Sequence, residues 1–382
     1  MIYLNNAATS FPKPIRVVEA VRSLLDQPPY HHARAGFQRG SDDAVTECRR
    51  LLCELFHADD PNRILFSAGA TASLNLIING LCLRGRHVVT TAMEHNSVLR
   101  PLKTLERRGA LEVSIVDCDS LGAVCPEDIA KAIRPDTAAV IVNHCSNVTG
   151  AVNDLAAIGE IVGGTDSLFV VDASQSAGME TIDVKTMRID ALAFTGHKAL
   201  FGLQGIGGMY LSERFRPPPL IVGGTGVRSE NLYQPEELPL LYEAGTQNIV
   251  GIVSLLEGVR FIRDRGIAAL REQRLRATEA IRAHLTRRRG VRLYPPRNAP
   301  PTALFSFNID GIAPEDLGYI LEHSFDICTR SGLHCAPLIH RCLGSYPAGS
   351  VRVSPSCFTT DDEIAAFGRA IDAICASLWK KT

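Results

Sequence analysis

The sequence lacks an excess of charge of either sign. Its 382 residues include 40 Lys and Arg against 41 Asp and Glu, a formal net charge of −1 at pH 7. Such a balance creates no long-range field that would concentrate nucleic acid or an acidic membrane at the protein surface. Neither is therefore expected as the main partner, and a small-molecule ligand is favoured.

Long apolar runs and paired cysteine motifs are also missing. No uninterrupted apolar stretch reaches the roughly 18–20 residues needed to span a bilayer. Residues 1–14 contain neither the basic nor the apolar region of a secretory signal. The 11 cysteines include no C-x-x-C pair, which argues against a disulfide framework or a zinc ribbon, and no metal site is expected. We predict a cytoplasmic protein whose thiols are mostly buried.

The pattern of apolar segments predicts an α/β fold. With 46% hydrophobic and 21% charged residues, the composition is that of a globular protein. Apolar runs alternate with helical spacing, as in βαβ units around a mostly parallel sheet. The predicted strands cover seven ranges: 63–67, 87–91, 112–116, 138–143, 168–172, 191–195 and 206–211. Helices are predicted between them at 74–83, 97–108, 126–133 and 154–162.

The remainder of the chain predicts a smaller α+β domain. Residues 216–239 contain five prolines and should form a long loop. The basic segment 267–289 is interpreted as the solvated face of an amphipathic helix and not as a nucleic-acid surface. Further helices are predicted at 248–265, 314–324 and 360–378, and strands at 303–309, 326–330 and 351–354. We assign residues 15–255 to the large domain and residues 1–14 and 256–382 to the small one.

Two charged residues stand where buried strands are predicted to end. Lys198 follows the strand 191–195 within the motif TGHK. It is either a surface lysine in a turn or a lysine whose amine reacts with an aldehyde cofactor. Asp172 ends the strand 168–172, where an unpaired carboxylate would be costly and needs a cationic partner. A protonated pyridine nitrogen is one such partner, so the pair favours pyridoxal phosphate.

A third segment offers a site for a phosphate group. The sequence GATAS begins at Gly69, between a predicted strand and a predicted helix. Backbone N–H groups at a helix N-terminus and the Thr71 hydroxyl suit an anion. Small residues before a helix are equally common as caps. The prediction of a ligand crevice therefore depends on all three features together. This segment, Asp172 and Lys198 follow one another on the strand ends of one sheet.

Seven motifs together establish a resemblance that covers nearly the whole chain. They are YLNNAAT from residue 3, EHN from 94, SNVTG from 146, DASQ from 172, TGHK from 195, EAGT from 243 and RSGLHCAP from 330. On these motifs the chain resembles the cysteine desulfurases of the class V aminotransferase family, most of all their SufS/NifS-like members. The resemblance implies the fold of fold-type I pyridoxal-phosphate-dependent transferases and the conversion of L-cysteine to L-alanine.

The resemblance also implies roles for individual residues. Lys198 would bind the cofactor covalently, Asp172 would pair with its pyridine nitrogen, and His95 would stack on its ring. Gln175 and Asn147 would lie at its phenolic oxygen, and Ala70, Thr71, Thr195 and His197 at its phosphate. Thr246 matches a phosphate ligand from a partner subunit, which implies a homodimer. Asn147, Arg330 and Arg352 would hold the substrate carboxylate.

Cys335 is the thiol on which the expected reaction depends. As one cysteine among 11 it could be buried and inert, but His334 and Arg330 nearby would favour its thiolate. In the family the matching cysteine is the nucleophile, which implies a Cys335 persulfide and a sulfur-acceptor protein. Cys328 and Cys342 are interpreted as structural.

Several departures and alternatives accompany the resemblance. Ala70 and Gln247 stand where relatives often carry Thr and Pro, and the segment between Cys335 and Arg352 is slightly longer than in SufS-like proteins.

Selenocysteine lyase activity is compatible with the same residues. A β-lyase, epimerase or aminotransferase of the same fold would use Lys198 and Asp172 without a cysteine nucleophile. A non-catalytic scaffold is the alternative outside enzymes.

Overall fold

The computed structural model describes residues 1–26, 44–81, 86–227, 229–295 and 299–379. Within these residues the strands are β1 (Ile2–Tyr3), β2 (Ile64–Ser67), β3 (His87–Thr91), β4 (Glu112–Val116), β5 (Thr137–Asn143), β6 (Leu168–Asp172), β7 (Ala191–Thr195), β8 (Gly207–Leu211), β9 (Val291–Tyr294), β10 (Phe305–Ile309), β11 (Ile327–Cys328), β12 (Arg330–Gly332) and β13 (Ser350–Val353).

The helices of the same residues lie between these strands. They are α1 (Ile15–Leu25), α2 (Ala44–Leu55), α3 (Ala70–Leu81), α4 (Asn96–Arg107), α5 (Pro126–Ala132), α6 (Leu155–Gly163), α7 (Ile249–Arg265), α8 (Ile267–Thr286), α9 (Pro314–Phe325), α10 (Pro337–Cys342) and α11 (Asp361–Trp379). None of the helices in the described part of the chain is long and apolar enough to cross a membrane.

Seven strands form the central sheet, as predicted. Their order is β2-β8-β7-β6-β5-β3-β4, and only β8 runs antiparallel to its neighbours. The prediction of an α/β fold with a mostly parallel seven-stranded sheet is confirmed. Four of the predicted strands match β3, β4, β6 and β7 to the residue, and the other three differ by one residue at their start.

Both faces of the central sheet are buried, which explains why its strands could be recognised in the sequence. Val140 and Val142 of β5 pack into the core on one face, and Ala139 and Ile141 pack into the core on the other. A parallel strand covered on both faces is apolar at successive positions and not only at alternate ones.

The C-terminal part forms a second, antiparallel sheet of order β12-β13-β10-β9. Its core includes Leu4 and residues from α8, α9 and α11. The predicted division into residues 15–255 and the remainder stays a prediction, and α7 runs unbroken across residue 255.

Several predicted boundaries were wrong for local reasons. The expected strand 326–330 is two strands, β11 and β12, which pair in different sheets. Helices α1 and α2 and the first turn of α3 were not predicted. The short elements β9 and α10 were also missed, because four to six residues show too little periodicity. Residues 82–83 of the predicted helix 74–83 lie outside the described residues. Residues 216–239 form neither helix nor strand where they are described.

One close backbone approach links the sheet to the loop before α3. Gly207 begins β8 and pairs with Ser67 and Thr195. A Cβ atom at Gly207 would lie 2.6 Å from the carbonyl oxygen of Phe194 and 2.7 Å from the Cα of Gly69. Only glycine fits without displacing one of these backbones.

We predict that Gly207→Ala destabilises the protein by about 1–3 kcal/mol, the usual penalty for overpacking a core. Urea unfolding would measure the loss. Gly223→Ala is the matched control, because a Cβ atom there meets nothing within 4 Å. Equal unfolding midpoints for the two variants would contradict this account of the Gly207 contact.

Candidate active site

The site lies at the edge where the parallel strands of the central sheet end. Asn143 ends β5, Asp172 ends β6 and Thr195 ends β7, and Asn143 pairs with Asp172 across the ladder. A cavity of about 1030 Å³ opens at this edge. The carboxyl ends of parallel strands are the usual place for a ligand crevice in an open α/β sheet.

The structure brings nearly all the predicted site residues to this one cavity. Those lining it are Ala70, Thr71, His95, Asn147, Asp172, Gln175, Thr195, His197, Lys198, Thr246, Arg330 and Arg352. Cys335 instead lines a second, adjoining cavity, which shares Thr71 and His95 with the first. Ala70 and Arg352 are 282 positions apart in the chain, so the convergence of these residues is a property of the fold.

Lys198 lies just beyond the end of β7. Burial lowers the pKa of its amine to about 8, and the nearby Asp172 carboxylate offsets part of that effect by raising it. Arg330 and Arg352 lower the pKa further. A substantial fraction of the amine is therefore neutral near physiological pH, as a nucleophile or a general base must be.

Asp172 is 1% exposed. Its Oδ1 atom accepts hydrogen bonds from the Ser174 backbone N–H at 2.9 Å and from the Ser174 hydroxyl at 2.5 Å. Its Oδ2 atom makes no hydrogen bond to any described residue. One carboxylate oxygen is thus fixed by the protein, and the other is left for a donor in the cavity.

His95 caps the N-terminus of α4. Its Nδ1 atom accepts a hydrogen bond from the Ser97 backbone N–H at 3.0 Å and lies 2.8 Å from the Ser97 hydroxyl. The acceptor role at Nδ1 places the proton of the neutral ring on Nε2. Burial lowers the pKa of His95 to about 4, so the imidazole is uncharged at neutral pH.

The loop between β2 and α3 forms an anion-binding arrangement. Gly69 adopts a φ of +139°, which glycine alone adopts readily, and α3 begins at the next residue. The free N–H groups at the start of a helix favour a negative group. Thr195 lies beside Gly69, and His197, with a buried Nδ1 atom that has no partner among the described residues, also lines the cavity.

Two arginines on neighbouring strands line the cavity. Arg330 of β12 pairs in register with Arg352 of β13. Arg352 is 1% exposed and donates to the Asn147 carbonyl oxygen at 2.9 Å and to Asn5 Oδ1 at 3.1 Å. Among the described residues no carboxylate forms an ion pair with either arginine. A buried charge without a counterion is costly, so this wall favours an anionic ligand.

Two amides complete the cavity wall. Asn147 donates from Nδ2 to the His334 carbonyl oxygen at 2.7 Å, and its buried Oδ1 has no partner among the described residues. Gln175 donates from Nε2 to the Ala7 carbonyl oxygen at 2.9 Å. Each amide nitrogen carries two protons, so one donor per side chain remains for a ligand. Thr246 is exposed and lines the cavity of its own chain. Its contribution to a partner subunit stays a prediction.

Cys335 sits in a loop with unusual backbone geometry. Its φ is +59° and that of His334 is +51°, the left-handed region that costs non-glycine residues energy. The Asn96 backbone N–H holds the loop by donating to the Cys335 carbonyl oxygen at 2.7 Å. The Arg330 guanidinium donates to the Cys335 Sγ atom at 3.2 Å. This contact holds the Cys335 sulfur at a fixed position beside the cavity.

Two buried glutamates were missed as functional candidates. Glu94 accepts on Oε1 from the Thr91 hydroxyl at 2.6 Å and from the Asn143 N–H at 2.8 Å, and burial raises its pKa to about 8. It therefore carries a proton at neutral pH and supports the turn before His95. The feature of the sequence that could have identified Glu94 is a carboxyl group shortly after an apolar strand.

Glu243 anchors the loop that carries Thr246. The Arg49 guanidinium donates two hydrogen bonds to the Glu243 carboxylate, at 2.8 and 2.9 Å, and the Phe66 N–H donates a third at 2.7 Å. The pair is buried on both sides. Glu243 belongs to the recognised EAGT motif, but no sequence pattern points to its partner Arg49, which lies 194 positions away.

None of the other described cysteines lines the cavity. No described cysteine forms a disulfide; Cys82 lies outside the described residues. Cys328 lies in β11, and Cys342 ends α10 with its Sγ atom 3.9 Å from Asp117 Oδ1. Their structural role stays a prediction. Within the part of the chain that the structure describes, no group of three or more His, Cys, Asp or Glu side chains could hold a metal ion.

Comparison with known proteins identifies the family. The family model for class V aminotransferases matches residues 2–367. The chain belongs to the class V aminotransferase family. A probable cysteine desulfurase of Methanothermobacter thermautotrophicus is 33% identical over 98% of this chain and 94% of its own length. A probable cysteine desulfurase of Pyrococcus abyssi is 33% identical over 99% of this chain and 95% of its own length.

Two solved structures share the fold over almost the full chain. The apo cysteine desulfurase of Thermococcus onnurineus NA1 is 33% identical and superposes with a TM-score of 0.87 over 99% of this chain and 95% of its own. The cysteine desulfurase CsdA of Escherichia coli is 25% identical and gives a TM-score of 0.89 over 98% of this chain and 95% of its own.

The environment of Lys198 yields a test that needs no turnover. Reductive methylation with formaldehyde, followed by peptide mass spectrometry, should label Lys198 with an inflection near pH 8, because its amine loses its proton there. Asp172→Asn removes the carboxylate that raises this pKa and should move the inflection to lower pH. Lys13 also has a pKa of about 8, but from burial alone, so its inflection should stay in place. A Lys198 inflection near 10.5, or one that ignores Asp172→Asn, would contradict the described charge coupling.

Proposed function

We propose that this class V aminotransferase is a pyridoxal-phosphate-dependent cysteine desulfurase, which converts L-cysteine to L-alanine and keeps the sulfur as a persulfide on Cys335. The observation that carries the proposal is the Arg330-bound thiol of Cys335 beside a cavity that already contains an amine, a carboxylate and a buried guanidinium. The relatives and solved structures named above are described as cysteine desulfurases or probable cysteine desulfurases, which supports the proposal.

The residues present fit pyridoxal phosphate. The free Oδ2 atom of Asp172 suits a protonated pyridine nitrogen, and Lys198 supplies an amine for the aldehyde carbon. The loop at Gly69, Thr71 and the start of α3 suits the phosphate. When bound, the cofactor provides a pyridinium ring that accepts electrons released at the substrate α-carbon.

The chain itself then performs three tasks. Arg352 binds the substrate carboxylate with parallel N–H donors, assisted by Asn147. Lys198 takes the α-proton onto its Nζ atom, for which its lowered pKa is suited. Uncharged His95 covers the cavity on the side of Cys335 and carries a donor at Nε2.

Sulfur transfer to the enzyme balances without an outside oxidant. The Cys335 thiolate attacks the substrate sulfur, so that an S–S bond forms while the Cβ–S bond of the substrate breaks. The electron pair of the broken bond passes to Cβ, which takes up a proton. One cysteine and one thiol thus become one alanine and one persulfide. Selenocysteine would fit the same geometry.

The role of Cys335 is tested by comparing two cysteines seven positions apart. We expect Cys335→Ser to bind the cofactor with wild-type colour but to lose alanine formation by at least about a hundredfold, because the nucleophile is gone. Cys342→Ser is the matched control and should keep alanine formation within about twofold of wild type.

The products separate the alternatives. Pyruvate or an epimerised amino acid formed by Cys335→Ser at the wild-type rate would overturn the desulfurase and indicate a β-lyase or epimerase of the same fold. Failure of the wild-type protein to bind the cofactor at all would indicate a scaffold.

We also propose that the enzyme works as a homodimer. The loop after β8 exposes five large apolar side chains: Leu220, Ile221, Val222, Leu232 and Tyr233. Leu220 and Ile221 line the cavity as well. A cluster of this kind beside a binding site favours burial against a partner, and a second copy would place its own loop by symmetry against the same region.

Ile221→Asp should therefore weaken the dimer, because it places a charge in an apolar interface. Light scattering against concentration would show a shift towards the monomer mass. Tyr319→Asp is the control, since that residue is equally exposed but lies on α9. A wild-type protein that is monomeric at micromolar concentration would refute the proposed homodimer.

Two further assignments belong to the same proposal. A reducing, cytoplasmic location agrees with a mechanism that needs a free thiol and with the absence of disulfides among the described cysteines. The proposed division at residues 14 and 255 assigns the Cys335 loop to the small domain and Lys198 to the large one.

A further inference from the structure

A groove leads away from Cys335 between two helices. It has a volume of about 550 Å³ and is lined by residues of α3 and α4, which pack against each other, and by the Cys335 loop. Both helices begin at the Cys335 end, where Thr71 and Asn96 lie. The groove is separate from the cofactor cavity except where the two meet at Thr71, His95, Ser97 and Asn75.

The groove is built from two rows of polar side chains. On α3 the row is Thr71, Asn75 and Asn79, and on α4 it is Asn96, Arg100 and Thr104, continued by Arg108 at the C-cap of that helix. Members of each row are four residues apart and so share one helix face. Eight residues of helix span about 12 Å, which is the length of about four residues of extended chain.

The charge of the groove has one sign. Arg100 and Arg108 are exposed, and neither forms an ion pair with a described residue. No Asp or Glu is among the described residues that line the groove. The N-termini of α3 and α4 add positive potential at the Cys335 end.

We propose that this groove docks the thiol-bearing segment of an acceptor polypeptide whose carboxylates follow the thiol by two to five residues. The proposal rests on the cysteine desulfurase function, since it identifies the partner that receives the Cys335 sulfur. The acceptor thiol enters at Cys335, its chain extends along the two polar rows, and its carboxylates meet Arg100 and Arg108. The length of the groove favours a polypeptide over a small thiol.

The transfer step balances. The acceptor thiolate attacks the outer sulfur of the Cys335 persulfide, forming a new S–S bond while the bond to the Cys335 Sγ atom breaks. That bond's electron pair remains on Cys335 as a thiolate, which the Arg330 guanidinium at 3.2 Å stabilises. The proton released by the acceptor thiol ends on the new persulfide or in solvent, and no oxidant is consumed.

The test uses the holoenzyme loaded with L-cysteine and two synthetic peptides that differ only in charge. Each peptide has one cysteine followed by four residues, with Asp or Lys at the second and fourth of them. Persulfide on the peptide is measured by mass spectrometry and divided by the persulfide first formed on Cys335. This ratio separates docking from the desulfurase reaction, because absence of any Cys335 persulfide would count against the proposed function alone.

Three charge reversals report on the groove. Arg100→Glu and Arg108→Glu should each lower transfer to the Asp peptide roughly fivefold at low salt and raise transfer to the Lys peptide. Arg107→Glu has the same change in net charge and lies beside Arg108 but outside the groove, so it should leave both peptides within about 1.5-fold of wild type. Added salt should reduce the difference between the peptides.

Any of three results would overturn the proposal, the first two of which concern the peptides and the variants and the third a small thiol. One is equal transfer to the Asp and Lys peptides, and another is equal effects of Arg107→Glu and Arg108→Glu. The third is transfer to mercaptosuccinate, a small thiol with two carboxylates, that matches the Asp peptide in rate and in sensitivity to Arg100→Glu and Arg108→Glu. That outcome would assign the groove to a small anionic thiol and not to a polypeptide.

Discussion

The structure depends on one constraint: charged groups gather at the carboxyl edge of a sheet that is buried on both faces. Asp172 and Arg352 are each 1% exposed, yet neither has an ion-pair partner among the described residues. Charges in such a place are costly unless something compensates them. The short hydrogen bonds from Ser174 and the contacts of Arg352 with Asn147 and Asn5 repay only part of that cost. The remainder is what a cofactor and an amino-acid substrate would supply.

The site is divided into two spaces, a cavity and a groove, which meet at Thr71, Asn75, His95 and Ser97. On one side lie Lys198, Asp172 and Arg352, which suit carbon chemistry. On the other lies a cationic groove that contains no Asp, Glu or Lys among its described lining residues. Cys335 lines this groove in a strained backbone conformation held by the Asn96 N–H, and its Sγ atom contacts Arg330 of the cavity. Strain of this kind persists where surrounding contacts hold it and is frequent at functional sites.

Much of the fold and the core of the site could be predicted from the sequence. The inner strands are continuous apolar runs, so β6 and β7 were located to the residue, and with them Asp172 and the approach to Lys198. Features that depend on distant contacts could not be predicted. Asn96 and Cys335, which share a backbone hydrogen bond, are 239 positions apart, and the ion pair of Arg49 and Glu243 joins residues 194 positions apart. The two rows of the groove are regular in sequence, but only the packing of α3 against α4 reveals that they face one space. Short elements such as β9 and α10 carry too few residues for a period to show.

The central claim is that carbon chemistry at Lys198 and sulfur capture at Cys335 are two halves of one reaction. A single turnover tests it most directly: the wild-type holoenzyme is mixed with less than one equivalent of L-cysteine, and both alanine and the mass of the peptide containing Cys335 are measured. The account predicts one alanine for each persulfide on that peptide. Alanine without the adduct, or pyruvate in its place, would contradict it.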